Sequence, residues 1–338
     1  MHADRKQTYR RNKVFIPNNL RLRVLPLLFV VFLLFLSSPA FADWSPLIDR
    51  LVADNFDELA MRDLFSRPEI RFEPGAMISK IEERLKRIYP KSVGLPSYNP
   101  KGVYKGYLKG KVISRARSYL QENTEFLETI GNQYCVPKEI VVSILLVETR
   151  LGDFVGRKWA FNSLASMALS ADLETIRPYL PKKLISPRNE DSARTLCRQK
   201  SDWAYAELKA LILYANSSGL DPLSLPGSIY GAIGLCQFIP SNILSYGVDA
   251  DQDGRIDLFT KADALSSIAN YLREHGWKCT MDKTSQLRVI LDYNRSSTYA
   301  NTVLAVAEKL KDKPQKNWSN VSHTPSENPR TTSTLKAQ

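Results

Sequence analysis

Apolar positions recur every three to four residues along most of the chain, which is the spacing of one helical face. Five segments carry this pattern far enough to predict helices: Ile78–Ile88, Val112–Tyr134, Trp203–Asn216, Ala262–His275 and Ser285–Leu310, the last of them broken. Leu208, Leu211, Ile212 and Ala215 show the stripe clearly. Punctuation rich in Pro, Gly, Ser and Asn separates the segments, as in PKSVGLPSYNPKG and SSGLDPLSLPGS. No internal repeat and no long alternating strand interrupts the series, so the expected class is mainly α. After Lys311 the chain turns polar and rich in Ser, Thr, Asn and Pro. Residues 312–338 lack the apolar surface to offset the entropy of ordering and read as a disordered tail.

One segment departs from the amphipathic pattern. Ile140 to Val147 is apolar except for Ser143, and it runs straight into Glu148. Pro137 suits a first helical position, Glu139 the positive end of the helix dipole and Gly152 the stop, which favours a helix over a buried strand. Leu145, Ile144 and Val141 lie three, four and seven residues before Glu148, so the carboxylate continues an apolar stripe. Burial and the negative end of the dipole would both raise its pKa. Two readings stand on these residues: a surface pair with a cation such as Arg150, or an acid held protonated for proton transfer.

The N-terminus reads as a secretory signal. Basic residues from Arg5 to Arg23, an apolar run from Val24 to Leu36 and Ala40-Phe41-Ala42 precede Asp43. The run is short of the roughly 20 residues that span a bilayer. The mature chain is expected to begin at Asp43, in the periplasm, with retention of the leader as a membrane anchor as the alternative. Residues 1–42 carry six of the formal +12 charges, leaving a mildly basic remainder. Nucleic acid is a poor partner for an exported chain; the charge either suits an anionic envelope polymer or only aids solubility. The four cysteines, Cys135, Cys197, Cys236 and Cys279, form no CxxC pair, so one disulfide or none is expected rather than a zinc site.

Elimination narrows the chemistry. Of three histidines only His275 lies in the body of the chain, where YLREHGWK reads as a helix end, and neither a G-x-S-x-G motif nor a P-loop is present. GSIYGAIGLCQFIPSN, Gly227–Asn242, packs three glycines close to Ser228 and Gln237, either a structural turn or a sugar-binding loop. DYNRSSTYA places Tyr293, Asn294 and Tyr299 together, either as core tyrosines or as stacking and amide-binding groups. Asp249, Asp251, Asp253, Gly254 and Arg255 occupy positions 1, 3, 5, 6 and 7 of an EF-hand-like loop, with Arg255 offering its carbonyl. Thr260, at position 12, cannot supply the bidentate carboxylate, whereas Asp263 could in a longer loop.

In order and spacing, V-E-T-x-x-G, G-S-x-x-G-A-x-G-x-x-Q-F-x-P-S, D-x-D-x-D-G, A-N-Y-L-x-x-H-G-W and Y-N-x-S-x-x-Y-A resemble the lytic murein transglycosylase B family, from about Tyr104 to Leu310. The resemblance implies a lysozyme-like catalytic core with an additional helical subdomain and an EF-hand-like metal loop. The corresponding division is a signal peptide at 1–42, a helical subdomain at 43–124, the core at 125–311 with the loop at 249–263, and the tail. It makes Glu148 the single catalytic acid and base, with Ser228 and Gln237 holding the glutamate and contacting sugar. It places Tyr271, Tyr293, Asn294 and Tyr299 around the N-acetylmuramoyl unit. Asp249, Asp251, Asp253, the Arg255 carbonyl and Asp263 become ligands of a structural Ca²⁺, with no cofactor for the chemistry.

The implied reaction cleaves the MurNAc–GlcNAc bond of peptidoglycan without water, leaving a 1,6-anhydro-MurNAc end. A hydrolytic muramidase and a non-catalytic peptidoglycan-binding protein are the alternatives. The implied partners are peptidoglycan glycan strands and cell-wall synthesis or division complexes, with the protein a monomer. Cys135 replaces the glycine of a typical Y-G-V-P, and the long Asn162–Tyr205 stretch holds no recognisable Pro-Arg-Arg element, so no substrate contact is assigned to it.

Overall fold

The computed structural model describes residues 42–88 and 101–311. The expected leader, 1–42, lies outside the described residues except for Ala42, and so does the tail from residue 312. The chain is mainly α, and its described part falls into two compact units. One holds residues up to 82 together with 162–205; the other holds 83–161 and the chain from 206 onward. This division differs from the one expected at residue 124.

The first unit is built from helices α1 (Ser45–Ala53), α2 (Glu58–Ser66), the start of α3 (Gly75–Ile88), most of α7 (Ala160–Leu169), the short α8 (Leu173–Ile176) and the first part of α9 (Glu190–Ser217). Polar side chains explain why 162–205 joins the N-terminal helices. Buried Asn162 donates Nδ2 to the Glu69 carbonyl at 2.9 Å, and buried Ser166 accepts from the Glu73 amide at 2.7 Å. Tyr205 donates to the Arg50 carbonyl at 2.8 Å while the Arg50 guanidinium lies 3.7 Å above its ring. None of these tertiary partners has a periodicity that the sequence could display.

The second unit centres on α6 (Lys138–Thr149), buried at every position from Ile140 to Val147 and again at Thr149. Around it pack α4 (Gly110–Glu122), α11 (Lys261–Glu274) and α13 (Ser297–Leu310), with α5 (Thr124–Tyr134), α10 (Pro240–Tyr246) and α12 (Lys283–Tyr293) beside them. Side chains from every azimuth of α6 are buried, which is why this helix shows no polar stripe. Ser143 adds no cost there, since its hydroxyl donates back to the Glu139 carbonyl at 2.5 Å.

Two predicted helices change on folding. Val112–Tyr134 divides into α4 and α5 at Asn123, whose side chain donates to the Tyr119 carbonyl at 2.7 Å. Trp203–Asn216 proves to be the end of the longer α9. His275 stands at the C-cap of α11, as its helix-end setting suggests.

Cys135 and Cys279 are disulfide-bonded across a sequence separation of 144, while Cys197 and Cys236 are free and buried. Cys135 has φ +59°, a left-handed conformation that suits the glycine it replaces. The bridge and a bond from Trp277 Nε1 to the Cys135 carbonyl, 3.1 Å, fasten the α5–α6 corner to the chain after α11. Among the described residues no single helix is long and apolar enough to cross a membrane.

Candidate active site

Glu148 lies in the last turn of α6. The helix stops abruptly because three successive residues, Arg150, Leu151 and Gly152, have φ of +55°, +66° and +96°. Two of them are not glycine, and each such conformation costs roughly 1–2 kcal/mol. Tertiary bonds hold the turn. Thr149, fully buried, donates its hydroxyl to the Leu235 carbonyl at 2.9 Å and accepts from the Gly152 amide at 3.2 Å. Glu148 is thereby fixed against the Gly227–Phe238 loop.

That loop folds on itself through Ser228 N–H to Ala232 O, 2.8 Å, and Ile233 N–H to Phe238 O, 2.9 Å. Its glycines are steric necessities. A Cβ on Gly227 would meet the Ala232 carbonyl oxygen at 2.5 Å, and one on Gly234 would meet Leu258 Cβ at the same distance. Gln237 sits at φ +52° and donates Nε2 to the Val155 and Gly234 carbonyls, at 3.1 and 3.0 Å. Its amide is committed to holding the loop.

Tyr299 donates to Glu148 Oε1 at 2.6 Å, and Tyr293 donates to the Cys236 carbonyl at 2.6 Å. Their rings stack nearly parallel, 8° apart with centroids separated by 6.4 Å. Burial pushes the Glu148 carboxyl up to about 7, with the Tyr299 hydrogen bond pulling in the opposite direction. Burial, reinforced by the Glu148 charge, pushes the Tyr299 phenol well above its ordinary value, so it remains a donor. Among the described residues no hydrogen bond or ion pair joins Glu148 to a second carboxylate or to a cation. Of the two readings left by the sequence, the geometry favours the acid held protonated.

The remaining expected residues separate by role. Ser228 Oγ accepts from the Tyr230 and Ala232 amides, at 3.2 and 3.1 Å, so the hydroxyl that holds Glu148 belongs to Tyr299 instead. Tyr271 is 5% exposed and donates to the Asp292 carbonyl at 2.9 Å. It stacks on His275 at 3.9 Å and meets Phe238 and Tyr293 edge-on or tilted. Tyr271 supports the wall of the site from behind and offers little surface to a substrate. Asn294 is exposed at the C-cap of α12, beside Tyr293.

Two contributors escaped the sequence reading. Tyr107 donates to the Val147 carbonyl at 3.1 Å and acts electrostatically on Tyr299, and Thr149 anchors the helix end. Thr149 was visible in V-E-T-x-x-G, but Tyr107 stands in KGYLKG with no periodic or motif signal.

In the acidic loop, carboxylate oxygens of Asp249, Asp251 and Asp263 all lie within 4.8 Å of one another. Asp263 is 1% exposed and accepts from the Ala250 and Asp257 amides at 2.8 and 2.7 Å. Burial raises its pKa, and the nearby Asp251 and Asp249 charges add to the shift. Asp249 Oδ1 is buried without a hydrogen-bond partner, which is the donor set's fit to a cation. Asp253 instead accepts from the Arg255 amide at 2.9 Å, and both residues are exposed. Thr260 caps α11 through a bond from the Asp263 amide at 3.3 Å, leaving the late carboxylate to Asp263.

Comparison with known proteins identifies the family. The family model for the Transglycosylase SLT domain matches residues 97–287. The membrane-bound lytic murein transglycosylase B of Escherichia coli is 30% identical over 186 residues, 54% of this chain and 44% of that protein. The chain thus spans less than half the length of that relative. The soluble lytic transglycosylase SltB1 of Pseudomonas aeruginosa has a TM-score of 0.60 at 22% identity, covering 79% of this chain and 97% of that one. The E. coli lytic transglycosylase Slt35 in complex with calcium gives 0.59 at 21% identity, covering 80% and 93%.

Proposed function

This chain belongs to the Transglycosylase SLT domain family, and we propose that it is a peptidoglycan lytic transglycosylase. It cleaves the MurNAc–(β1,4)–GlcNAc bond without water and leaves a 1,6-anhydro-MurNAc end. The observation that carries this reading is Glu148: one carboxyl, raised to about 7, held by Tyr299 and without a carboxylate partner. Ordinary glycosidases use two carboxylates. With one, the second role falls to the substrate.

Glu148 first gives its proton to the glycosidic oxygen. The C1–O bond breaks, GlcNAc leaves as an alcohol, and the MurNAc 2-acetamido oxygen bonds to C1. The ionised Glu148 then takes the proton of the C6 hydroxyl as O6 displaces the acetamido oxygen, closing the anhydro ring. Glu148 ends in its starting state, and no water is consumed. General acid–base catalysis of this type contributes typically ~10²–10⁴-fold. Tyr299 orients the carboxyl, Tyr293 and Asn294 flank the acetamido group, and Gln237 keeps the loop in place.

Asp249, Asp251 and Asp263 would hold a divalent cation that stiffens the loop and neutralises their clustered charge; calcium, named with Slt35, is the proposed ion. The proposed location is the periplasm, reached through the N-terminal leader. The test is digestion of purified sacculi by wild type and Glu148→Gln. Wild type should release muropeptides lighter by one water than reducing-end products. Glu148→Gln should fold and release none. Lysis by Glu148→Gln at the wild-type rate would overturn the assignment.

A further inference from the structure

On the side of α6 next to the Tyr107–Val147 bond is a cavity of about 400 Å³ whose lining includes Tyr107, Lys111, Arg115, Leu146, Arg150 and Asp153. It holds three cations against one carboxylate. Asp153 is taken up by Arg115, which grips both its oxygens, one of them at 2.6 Å. Arg150 acts on Asp153 only from farther away, and no carboxylate forms an ion pair with Lys111 or Arg150 among the described residues. Both of those side chains are exposed. Leu146, Val112 and Tyr107 give the lining its apolar surface.

Two links tie this cavity to the candidate site. Tyr107 forms its wall and also acts on Tyr299, the hydroxyl that holds Glu148. Arg150 is carried by the left-handed turn that ends α6, two residues from Glu148, and Thr149 fixes that turn to the Leu235 carbonyl. The cavity and Glu148 thus share the fixed end of α6, and the cavity brings two cations that form no ion pair among the described residues.

We propose that this cavity is the subsite for the peptide stem of the substrate, with Lys111 and Arg150 receiving its carboxylates. The inference rests on the transglycosylase reading and extends it from the glycan to the peptide. The lactyl group of MurNAc carries a peptide with free carboxylates, a short anionic branch leaving the sugar beside the scissile bond. Apolar lining together with two cations matches a peptide of small side chains and free carboxylates. Stripped of its peptide, the sugar keeps one lactyl carboxylate held at the ring and could engage at most one of them.

The experiment titrates Glu148→Gln protein, which does not turn over, with a GlcNAc–MurNAc fragment bearing its stem and with the same disaccharide stripped of peptide and its lactyl carboxyl capped as a neutral amide. The stem-bearing ligand should bind about fivefold tighter, the effect of two exposed ion pairs. That ratio should shrink as salt is added. In the Glu148→Gln background, Lys111→Gln with Arg150→Gln should bring it near one. Lys111→Gln alone, on an exposed face of α4, should give about twofold with the circular dichroism spectrum unchanged. Equal affinity of the two ligands, or a ratio that both substitutions leave intact, would overturn the subsite and spare the functional reading. Failure of both ligands to bind would overturn both.

Discussion

Tyr299 donates its hydroxyl to Glu148 Oε1 across 2.6 Å, joining the start of α13 to the end of α6. This bond sets the working range of the acid, because it opposes burial without cancelling it. Glu148 must be protonated to begin the reaction, so kcat/KM should fall as pH rises through about 7. Removing the hydroxyl in Tyr299→Phe withdraws the opposing influence, and the alkaline limb should move to higher pH. A pH–rate profile on soluble glycan strands reads this directly. A limb that stays in place would deny Tyr299 its part in tuning the acid.

The same shift has a consequence for stability. The folded-state pKa of Glu148 lies above its ordinary value, so its stability contribution is fully present at low pH and is lost as pH rises from about 4.5 through about 7. Above that range the buried charge costs roughly 1–3 kcal/mol. Glu148→Gln should therefore melt higher than wild type at pH 8, by several degrees. The two should converge at pH 4.5. Thermal melts across pH, without any substrate, check the sign.

Loss of the Cys135–Cys279 bridge should be costly, since it closes a long stretch of chain. Removal of such a bridge typically costs ~2–5 kcal/mol. The φ of +59° at Cys135 makes the replacement matter. Cys135→Gly with Cys279→Ser should be more stable than Cys135→Ala with Cys279→Ser, by roughly 1 kcal/mol. Denaturant melts of the two double variants test this.

Added Ca²⁺ should raise the melting temperature, and Asp249→Asn should abolish most of that rise, because Asp249 contributes the buried, unpartnered oxygen. Asp253→Asn should keep most of it, since Asp253 stands outside the cluster formed by Asp249, Asp251 and Asp263. Calorimetric titration provides a second reading of the same order.

Much of the fold was legible in the sequence because α11 and α13 carry ordinary amphipathic patterns with recognisable caps. The site was legible where chemistry is concentrated in short motifs, as at Glu148 and the Gly227–Phe238 loop. What escaped depends on tertiary partners. The Ser228 and Tyr271 side chains bond to backbone atoms of Ala232 and Asp292, and a backbone acceptor has no residue signature. The bond from Tyr107 to the Val147 carbonyl escaped for the same reason. Residues 162–205 group with the N-terminal helices through Asn162 and Ser166, two buried polar positions that look like ordinary helix surface in the sequence. In the acidic loop, spacing offered Asp249, Asp251, Asp253 and Arg255 and a longer loop offered Asp263; folding brings the carboxylates of Asp249, Asp251 and Asp263 within 4.8 Å of one another, a grouping that spacing alone does not display.

The central claim is that one glutamate, with the substrate supplying the second catalytic group, cleaves the glycan without water. Digestion of purified sacculi in heavy-oxygen water tests it most directly. Mass spectra of the released muropeptides should show anhydro ends free of label. Reducing MurNAc ends carrying the heavy oxygen at C1 would contradict it and assign the protein to the hydrolytic muramidases.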